Sequence, residues 1–136
     1  MNTSLPPQEI NALSAAYHQL FMVIDKYLDT HWDMLTPEER SALESSKWQL
    51  FNIASDLNAQ AATLQLQLLE ADLKTLQKCT QVMLITAEKI QHVKKAIEIA
   101  TKAVTLASEV FLAASSGNST FLTDAANKLL EALNLQ

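Results

Sequence analysis

The acidic and histidine side chains near residue 30 are the first candidates for chemistry in this chain. Asp25, Asp29 and Asp33 recur every four residues, and on a helix the carboxylates of Asp29 and Asp33 share one face, where they could bind a cation. His31 lies roughly 160° around such a helix from either aspartate, because each residue advances the helix by about 100°. We therefore expect a solvated acidic helix end here and no metal site.

The remaining candidates for chemistry are a carboxylate–histidine pair and a single thiol. Glu88 and His92 are one helical turn apart, but such a pair is typical of a surface contact, and a metal site needs more ligands. Cys79 is the only cysteine and has no recognisable base or resolving thiol, so we expect a half-buried structural residue. With no catalytic or cofactor-binding motif, the sequence predicts a protein that is not an enzyme and holds no cofactor or metal.

Aromatic side chains are the best candidates for partner binding. Trp32 and Trp48 flank a predicted turn between the first two helices, and tryptophan is enriched among the residues that dominate binding energy. We favour packing of both rings into the core between these helices, and the alternative is an exposed recognition patch. For a protein partner, we name Trp32, Trp48 and Phe111 first as contact residues.

Glycine and proline are so rare that almost the whole chain is predicted to be helical. The 136 residues include one glycine and three prolines, and neither residue type occurs between 38 and 116. Hydrophobic residues make up 49% of the chain, which is enough for a globular core. The sequence predicts an all-α protein, with a disordered or extended lead-in at 1–7 and a single helical-bundle domain at 8–136.

Capping signals predict two helix boundaries. Thr36, Pro37 and Glu39 have the spacing of a capping box with proline at the first helical position, so a first helix is expected to end and a second to begin there. Gly117 is expected to end a later helix, and a last helix is predicted over roughly 120–133.

The apolar pattern leaves two architectures open for residues 38–116. Its steps of three and four residues are typical of helices packed side by side, as in bundles and coiled coils. We favour an antiparallel bundle of about four helices with a hidden turn in 55–81, and within that at 71–81, where the apolar stripe changes face and the charge changes sign. The alternative is one very long central helix in an elongated dimer, in which residues 66–97 need a second chain to cover them.

The charge distribution disfavours nucleic acid as a partner. The net charge is −5 and Arg40 is the only arginine, so phosphate contacts are poorly supplied. Residues 1–73 hold ten acids and three bases, whereas residues 74–104 hold six lysines and two glutamates. We expect acidic and basic helices to lie side by side and offset each other, and the alternative is a basic surface for an acidic partner or anionic lipid.

The segment 93–114 has an unusually broad apolar face. Glu98, Lys102 and Glu109 interrupt it, so it is not expected to span a membrane. A face this wide is typical of an inner helix that touches two neighbours, which we favour, or of a surface for lipid or a partner helix.

These patterns predict a non-catalytic protein–protein interaction module that acts through helix faces, with a protein partner or self-association as a homo-oligomer. One cysteine and an opening segment without a basic, apolar leader favour a cytoplasmic location. One alternative is a lipid-surface-active helical protein, such as a pore-forming or secreted-effector component. Another is a small acidic binding protein of the immunity or antitoxin type.

Overall fold

The computed structural model describes residues 2–86 and 90–134 and is 83% helical. Within these residues, five α-helices and one short 3₁₀ helix account for most of the fold, and two three-residue strands pair antiparallel. In chain order the elements are β1 (Asn2–Ser4), α1 (Pro7–His31), the 3₁₀ helix (Trp32–Met34), α2 (Pro37–Gln60), β2 (Gln67–Leu69), α3 (Glu70–Thr86), α4 (Val93–Ser116) and α5 (Leu122–Asn134). The predicted all-α class is confirmed.

The described helices form a closed ring around one core. α1 packs against α2 and α3, α4 packs against α2 and α5, and α5 also packs against α3. Ser14 bonds to Ala54 while Asp25 pairs with Lys47, so α1 and α2 run antiparallel. The predicted antiparallel bundle is confirmed, with five described helices in place of about four. The largest fully buried side chains include Ile10, Leu13, Tyr17, Leu20, Ile24, Leu43, Leu50, Leu57, Leu76 and Met83.

Both predicted helix caps are present. The hydroxyl oxygen of Thr36 accepts a hydrogen bond from the Glu39 N–H at 3.1 Å, and the Thr36 N–H donates to Glu39 Oε1 at 2.9 Å, which completes the capping box. Gly117 ends α4 in the left-handed region at φ 77°, and its N–H donates to the carbonyl of Ala113 at 2.9 Å. Glycine adopts this conformation without the steric cost of a side chain.

The predicted break within 55–81 is confirmed, but its favoured position at 71–81 is wrong, because that window lies inside α3. The chain leaves the helix at 61–69 and again between α3 and α4. Leu64, Leu66 and Leu68 alternate with glutamines, and this two-residue period is that of a strand. Extended backbone buries Leu66 and Leu68, each 1% exposed, and leaves the glutamines in solvent. The apolar stripe changes face in this region because a new helix begins there.

β1 orders the beginning of the described chain. Asn2–Ser4 pairs with Gln67–Leu69, and the N–H of Leu5 donates to the carbonyl of Leu66 at 2.9 Å. These residues belong to the predicted lead-in at 1–7 and are extended, and the domain bounds stay a prediction. Their backbone hydrogen-bond partners come from a strand far away in the sequence, which no local pattern reveals.

α3 has neighbours on both sides within the same chain. It packs between α1 and α5 and buries Leu76, Cys79 and Met83, each at most 1% exposed. These buried residues of the segment 66–97 are therefore covered within the same chain. The alternative of one very long central helix is wrong.

α4 contacts two neighbouring helices, as its broad apolar face predicts. It lies between α2 and α5, and its buried positions are largely small: Ala100, Ala103 and Ala107 are at most 2% exposed. Small side chains at a contact allow helix axes to approach closely. None of the described helices is long and apolar enough to cross a membrane.

Candidate functional site

Four rings lie together along the outer seam between α1 and α2. We call His18, Phe21, Trp48 and Phe51 the aromatic cluster. The ring centroid of Phe21 is 6.0 Å from that of Trp48 and 5.2 Å from that of Phe51, and Trp48 meets Phe51 edge to face at 5.8 Å. The His18 centroid is 5.7 Å from that of Phe21. Trp48 is 51% exposed and Phe51 37%, so these rings form one surface open to solvent.

The packing of α1 on α2 explains why these rings lie outside the core. Leu50 of α2 is fully buried, whereas Trp48 and Phe51, three residues apart, share the neighbouring face of the helix. Phe21 is half-buried and packs against the core from α1. Sequence reasoning identified Trp48 but missed Phe21, which follows the core residue Leu20 and so lies at the edge of the apolar stripe.

A buried lysine joins the aromatic cluster to two carboxylates. Lys47 Nζ lies 3.1 Å from Asp25 Oδ1, 3.3 Å from Glu44 Oε2 and 4.9 Å from the ring centroid of Trp48. Burial by itself lowers the pKa of Lys47, but hydrogen bonds and attraction from the two carboxylates outweigh burial and raise the pKa above its ordinary value of 10.5. Lys47 is therefore a fixed cation at neutral pH.

Trp32 lies apart from the aromatic cluster, in the 3₁₀ helix at the tip of the α1–α2 hairpin. It is 43% exposed, and the Arg40 guanidinium carbon lies 4.8 Å from its ring centroid. Arg40 Nε also donates to the Trp32 carbonyl at 2.8 Å. The favoured prediction that Trp32 and Trp48 both fill the core is wrong: Trp32 follows the end of α1 and Trp48 stands beside the buried stripe of α2.

Phe111 lies at a third place. It is half-buried against the core and lines a groove between the end of α2 and the end of α4, together with Leu64 and Leu112. This groove starts at Gln60, about 18 Å along α2 from Trp48 at about 1.5 Å per residue. The structure therefore does not bring the three predicted contact residues together, and partner binding by each stays a prediction.

The groove belongs to an end of the bundle where the tertiary structure gathers three charge-free segments. Residues 2–8, 57–69 and 110–123 contain no Asp, Glu, Lys or Arg. The sheet joins the first segment to the second, and the groove joins the second to the third. Exposed apolar side chains in these segments are Leu69 at 53%, Leu112 at 41% and Phe121 at 61%.

The candidate metal-binding residues are not assembled into a site. Asp29 and Asp33 are exposed, and Asp33 lies in the 3₁₀ helix beyond α1. The His31 ring stacks on Tyr27 with centroids 4.1 Å apart. Among the described residues, no three His, Cys, Asp or Glu side chains lie together in a way that could hold a metal ion. Glu88 lies outside the described residues, so its predicted contact with His92 stays a prediction.

Cys79 is fully buried, which exceeds the predicted half-burial. Its thiol lies 3.7 Å from the carbonyl oxygen of Ala126, and burial raises its pKa from 9.0 to about 12. A thiol with this pKa is neutral and inert at physiological pH. Cys79 therefore contributes to packing between α3 and α5.

The acidic helices α1 and α2 lie beside the lysine-bearing helices α3 and α4, as predicted, but the described ion pairs do not join them. The one described pair between helices, Lys47 with Asp25, lies inside the acidic α1–α2 hairpin. The described ion pairs of the later helices each lie within one helix, at spacings of three or four residues: Lys74–Glu70, Lys95–Glu98, Lys102–Glu98 and Lys128–Asp124. Short local pairs of this kind form without any register between helices.

The described residues thus present exposed aromatic and apolar surfaces, and those of them that were candidates for chemistry are either buried or dispersed. No protein-family model matches this chain, and neither a curated protein nor a solved structure matches it. The surfaces themselves are therefore the basis for a functional proposal.

Proposed function

We propose that this protein is a non-catalytic binding module and that the aromatic cluster is its contact surface for a protein partner. The observation that supports the proposal is the contact between Phe21, Trp48 and Phe51, whose ring centroids are 5.2–6.0 Å apart on a solvent-open seam. Tryptophan is over-represented among residues that dominate protein interfaces. Aromatic rings also bury a large area at little cost in side-chain entropy.

The exposed rings of the aromatic cluster are not needed to complete the hydrophobic core. The buried stripe of α1 and α2 is already complete, since Tyr17, Leu20 and Leu50 are fully buried without help from a partner. The exposed part of Trp48 therefore remains available for a second molecule. A reducing compartment such as the cytoplasm is part of this proposal, because the single cysteine, Cys79, is a free thiol.

Truncating the cluster should abolish partner binding while the fold persists. Peptides selected from a display library on the wild-type protein should bind the double variant Trp48→Ala/Phe51→Ala about 30-fold or more weakly, since loss of a hot spot costs about 2 kcal/mol or more. Phe121→Ala is the matched control, because Phe121 is an aromatic residue that is 61% exposed and lies outside the cluster. Circular dichroism checks folding, and selected peptides that bind the double variant as tightly as wild type would contradict the proposal.

A second candidate function, binding to a lipid surface, is favoured by the charge-free end of the bundle. Leu69, Leu112 and Phe121 are exposed there, and the segments that carry them contain no charged residue. Exposed apolar side chains can enter the interfacial region of a bilayer. Because the chain carries a net charge of −5, a zwitterionic surface fits better than an anionic one.

Co-sedimentation with phosphatidylcholine vesicles tests this second function. The wild-type protein should sediment with the vesicles, and Leu112→Ser/Phe121→Ser should reduce the bound fraction. Met34→Ser is the control, because Met34 is 82% exposed near the opposite end of the bundle. Absence of wild-type binding to both phosphatidylcholine and phosphatidylserine vesicles, from acidic to neutral pH, would rule out the lipid function.

A further inference from the structure

We infer that the partner of the aromatic cluster is a different protein that presents an arginine on an apolar helix face, and that this arginine stacks on Trp48 while pairing with Asp25 and Glu44. The inference rests on the proposed function, because the same cluster supplies the apolar contact. It adds the chemistry of the partner, which comes from the charges next to the rings.

Beside the cluster, the positively charged side chain is buried and the two negatively charged side chains are exposed. Lys47 is 7% exposed, whereas the side chains of Asp25 and Glu44 are 56% and 40% exposed. Two carboxylates against one ammonium leave a local net charge of −1. An approaching molecule therefore meets negative charge directly beside exposed aromatic faces.

Lys47 leaves acceptor capacity on both carboxylates. Its Nζ bonds to Asp25 through Oδ1 and to Glu44 at 3.3–3.4 Å, and a carboxylate can accept several hydrogen bonds through its two oxygens. The exposed carboxylate edges can therefore accept hydrogen bonds from a second cation. Lys47 holds both carboxylates in place, so their geometry is set before a partner arrives.

Arginine fits this combination better than lysine. Its planar guanidinium stacks on aromatic rings and donates paired hydrogen bonds to carboxylates, whereas an ammonium acts as a point charge. The chain already contains one such contact, since Arg40 lies 4.8 Å from the Trp32 ring centroid and donates to the Trp32 carbonyl. At Trp48, Lys47 Nζ lies 4.9 Å from the ring centroid, and the 51% of this residue that is exposed leaves room for a guanidinium beside the two carboxylates.

The negative charge of the α1–α2 hairpin as a whole also favours a positively charged partner. Residues 1–60 hold eight acids and three bases, a net charge of −5, which equals the net charge of the whole chain. A concentrated negative potential accelerates association with cationic partners. A second copy of this chain is a poor source of the arginine, because Arg40 is its only one and already contacts Trp32.

The positions of the carboxylates also set the orientation of the partner. Asp25 follows Phe21 by one turn of α1, and Glu44 precedes Trp48 by one turn of α2. Because the two helices are antiparallel, both carboxylates lie on the side of the cluster that faces the hairpin tip. The partner's arginine therefore points toward the tip, and its apolar residues lie over Phe51.

Designed peptides test the inference. The probes are synthetic amphipathic helices of about 18 residues that share one leucine face and carry arginine, lysine, glutamine or glutamate at one position within that face. Fluorescence anisotropy of labelled peptides measures binding to the full-length protein. The arginine peptide should bind about tenfold tighter than the glutamine peptide, a difference of about 1.4 kcal/mol. The lysine peptide should fall between them, and the glutamate peptide should bind most weakly.

Matched variants locate the effect. Asp25→Asn/Glu44→Gln should weaken the arginine peptide by about tenfold and leave the glutamine peptide unchanged. Glu38→Gln/Asp56→Asn changes the net charge by the same amount at exposed positions elsewhere in the hairpin and should have no such effect. Because the first variant removes both partners of Lys47, Glu44→Gln alone serves as a milder version and should weaken the arginine peptide by about threefold.

Each other outcome overturns the inference in a distinguishable way. If all four peptides bind equally and only Trp48→Ala/Phe51→Ala abolishes binding, the charge argument is wrong and the proposed function stands. If Trp48→Ala/Phe51→Ala changes none of the affinities, both fail. A wild-type dimer in light scattering that Trp48→Ala dissociates would make a second copy the occupant. Vesicle binding lost on Trp48→Ala would make lipid the occupant.

Discussion

Replacement of Tyr17 by alanine is expected to lower the free energy of unfolding by about 3–5 kcal/mol, the range for removal of a large buried aromatic ring. Tyr17 is fully buried, and its hydroxyl donates to the carbonyl of Ala103 at 2.6 Å, which links α1 across the core to α4. Since domains of this kind are stable by only about 5–15 kcal/mol, this one change can remove a large part of the total.

Urea denaturation followed by circular dichroism measures the effect of Tyr17→Ala. Tyr17→Phe keeps the ring and removes the hydroxyl, so it should cost only about 1–2 kcal/mol. Asn11→Ala, at an exposed position of α1, is the control and should change stability by about 0.5 kcal/mol or less. A loss below about 1 kcal/mol for Tyr17→Ala would contradict the central position of this ring.

Alkaline pH is expected to unfold the protein through two buried groups that must stay neutral. Burial raises the pKa of Tyr17 well above its usual value of 10.0, with a further contribution from the negative charge of the neighbouring Cys79 thiolate, and burial raises the pKa of Cys79 from 9.0 to about 12. The unfolded chain therefore releases both protons at lower pH than the folded protein does. Stability is complete below about pH 9 and falls as the pH rises from 9 toward 12.

The size of this alkaline effect follows from the pKa of the thiol. For Cys79 alone, a rise from 9.0 to about 12 corresponds to about 4 kcal/mol of stability lost across that interval. Denaturant unfolding at a series of pH values measures the loss. Cys79→Ala and Tyr17→Phe should each make stability less dependent on pH above 9. The remaining dependence should come from Tyr27, whose pKa burial also raises, and from Lys47. An unchanged pH dependence in the double variant would contradict this assignment.

Helix boundaries were predictable where the signal is local. The capping box depends only on Thr36 and Glu39, three residues apart, and both of its hydrogen bonds are present. The end of α4 depends on the backbone freedom of Gly117, whose φ is 77°. Each of these features acts within one helical turn, so a single sequence contains all the information it needs.

The break between α2 and α3 lies within the predicted window 55–81, but its exact position was not predictable by the same means, because two periods overlap there. Leu57 and Leu64 continue a seven-residue helical repeat, while Leu64, Leu66 and Leu68 begin a two-residue alternation. The backbone is extended there and pairs with β1, whose residues lie far away in the sequence. When a segment is compatible with both helix and strand, pairing with a distant strand decides its conformation. The local sequence contains no information about that pairing.

Part of the candidate site was likewise predictable from the sequence, and part was not. Trp48 and the acidic character of the hairpin were visible in the sequence, but the partnership of Trp48 with Phe21 and of Lys47 with Asp25 was not. The two pairs lie 27 and 22 residues apart, as the numbers of their members show. Both depend on the register between α1 and α2.

By itself, the sequence determined that this protein is all-helical, where two helix ends lie and which faces are apolar, because these properties depend on neighbours within a turn or two. The tertiary structure alone decided which rings remain exposed, which carboxylates lie beside them and which charge-free segments meet at one end. Those properties depend on how packed helices align, and the alignment results from burial of the whole core at once.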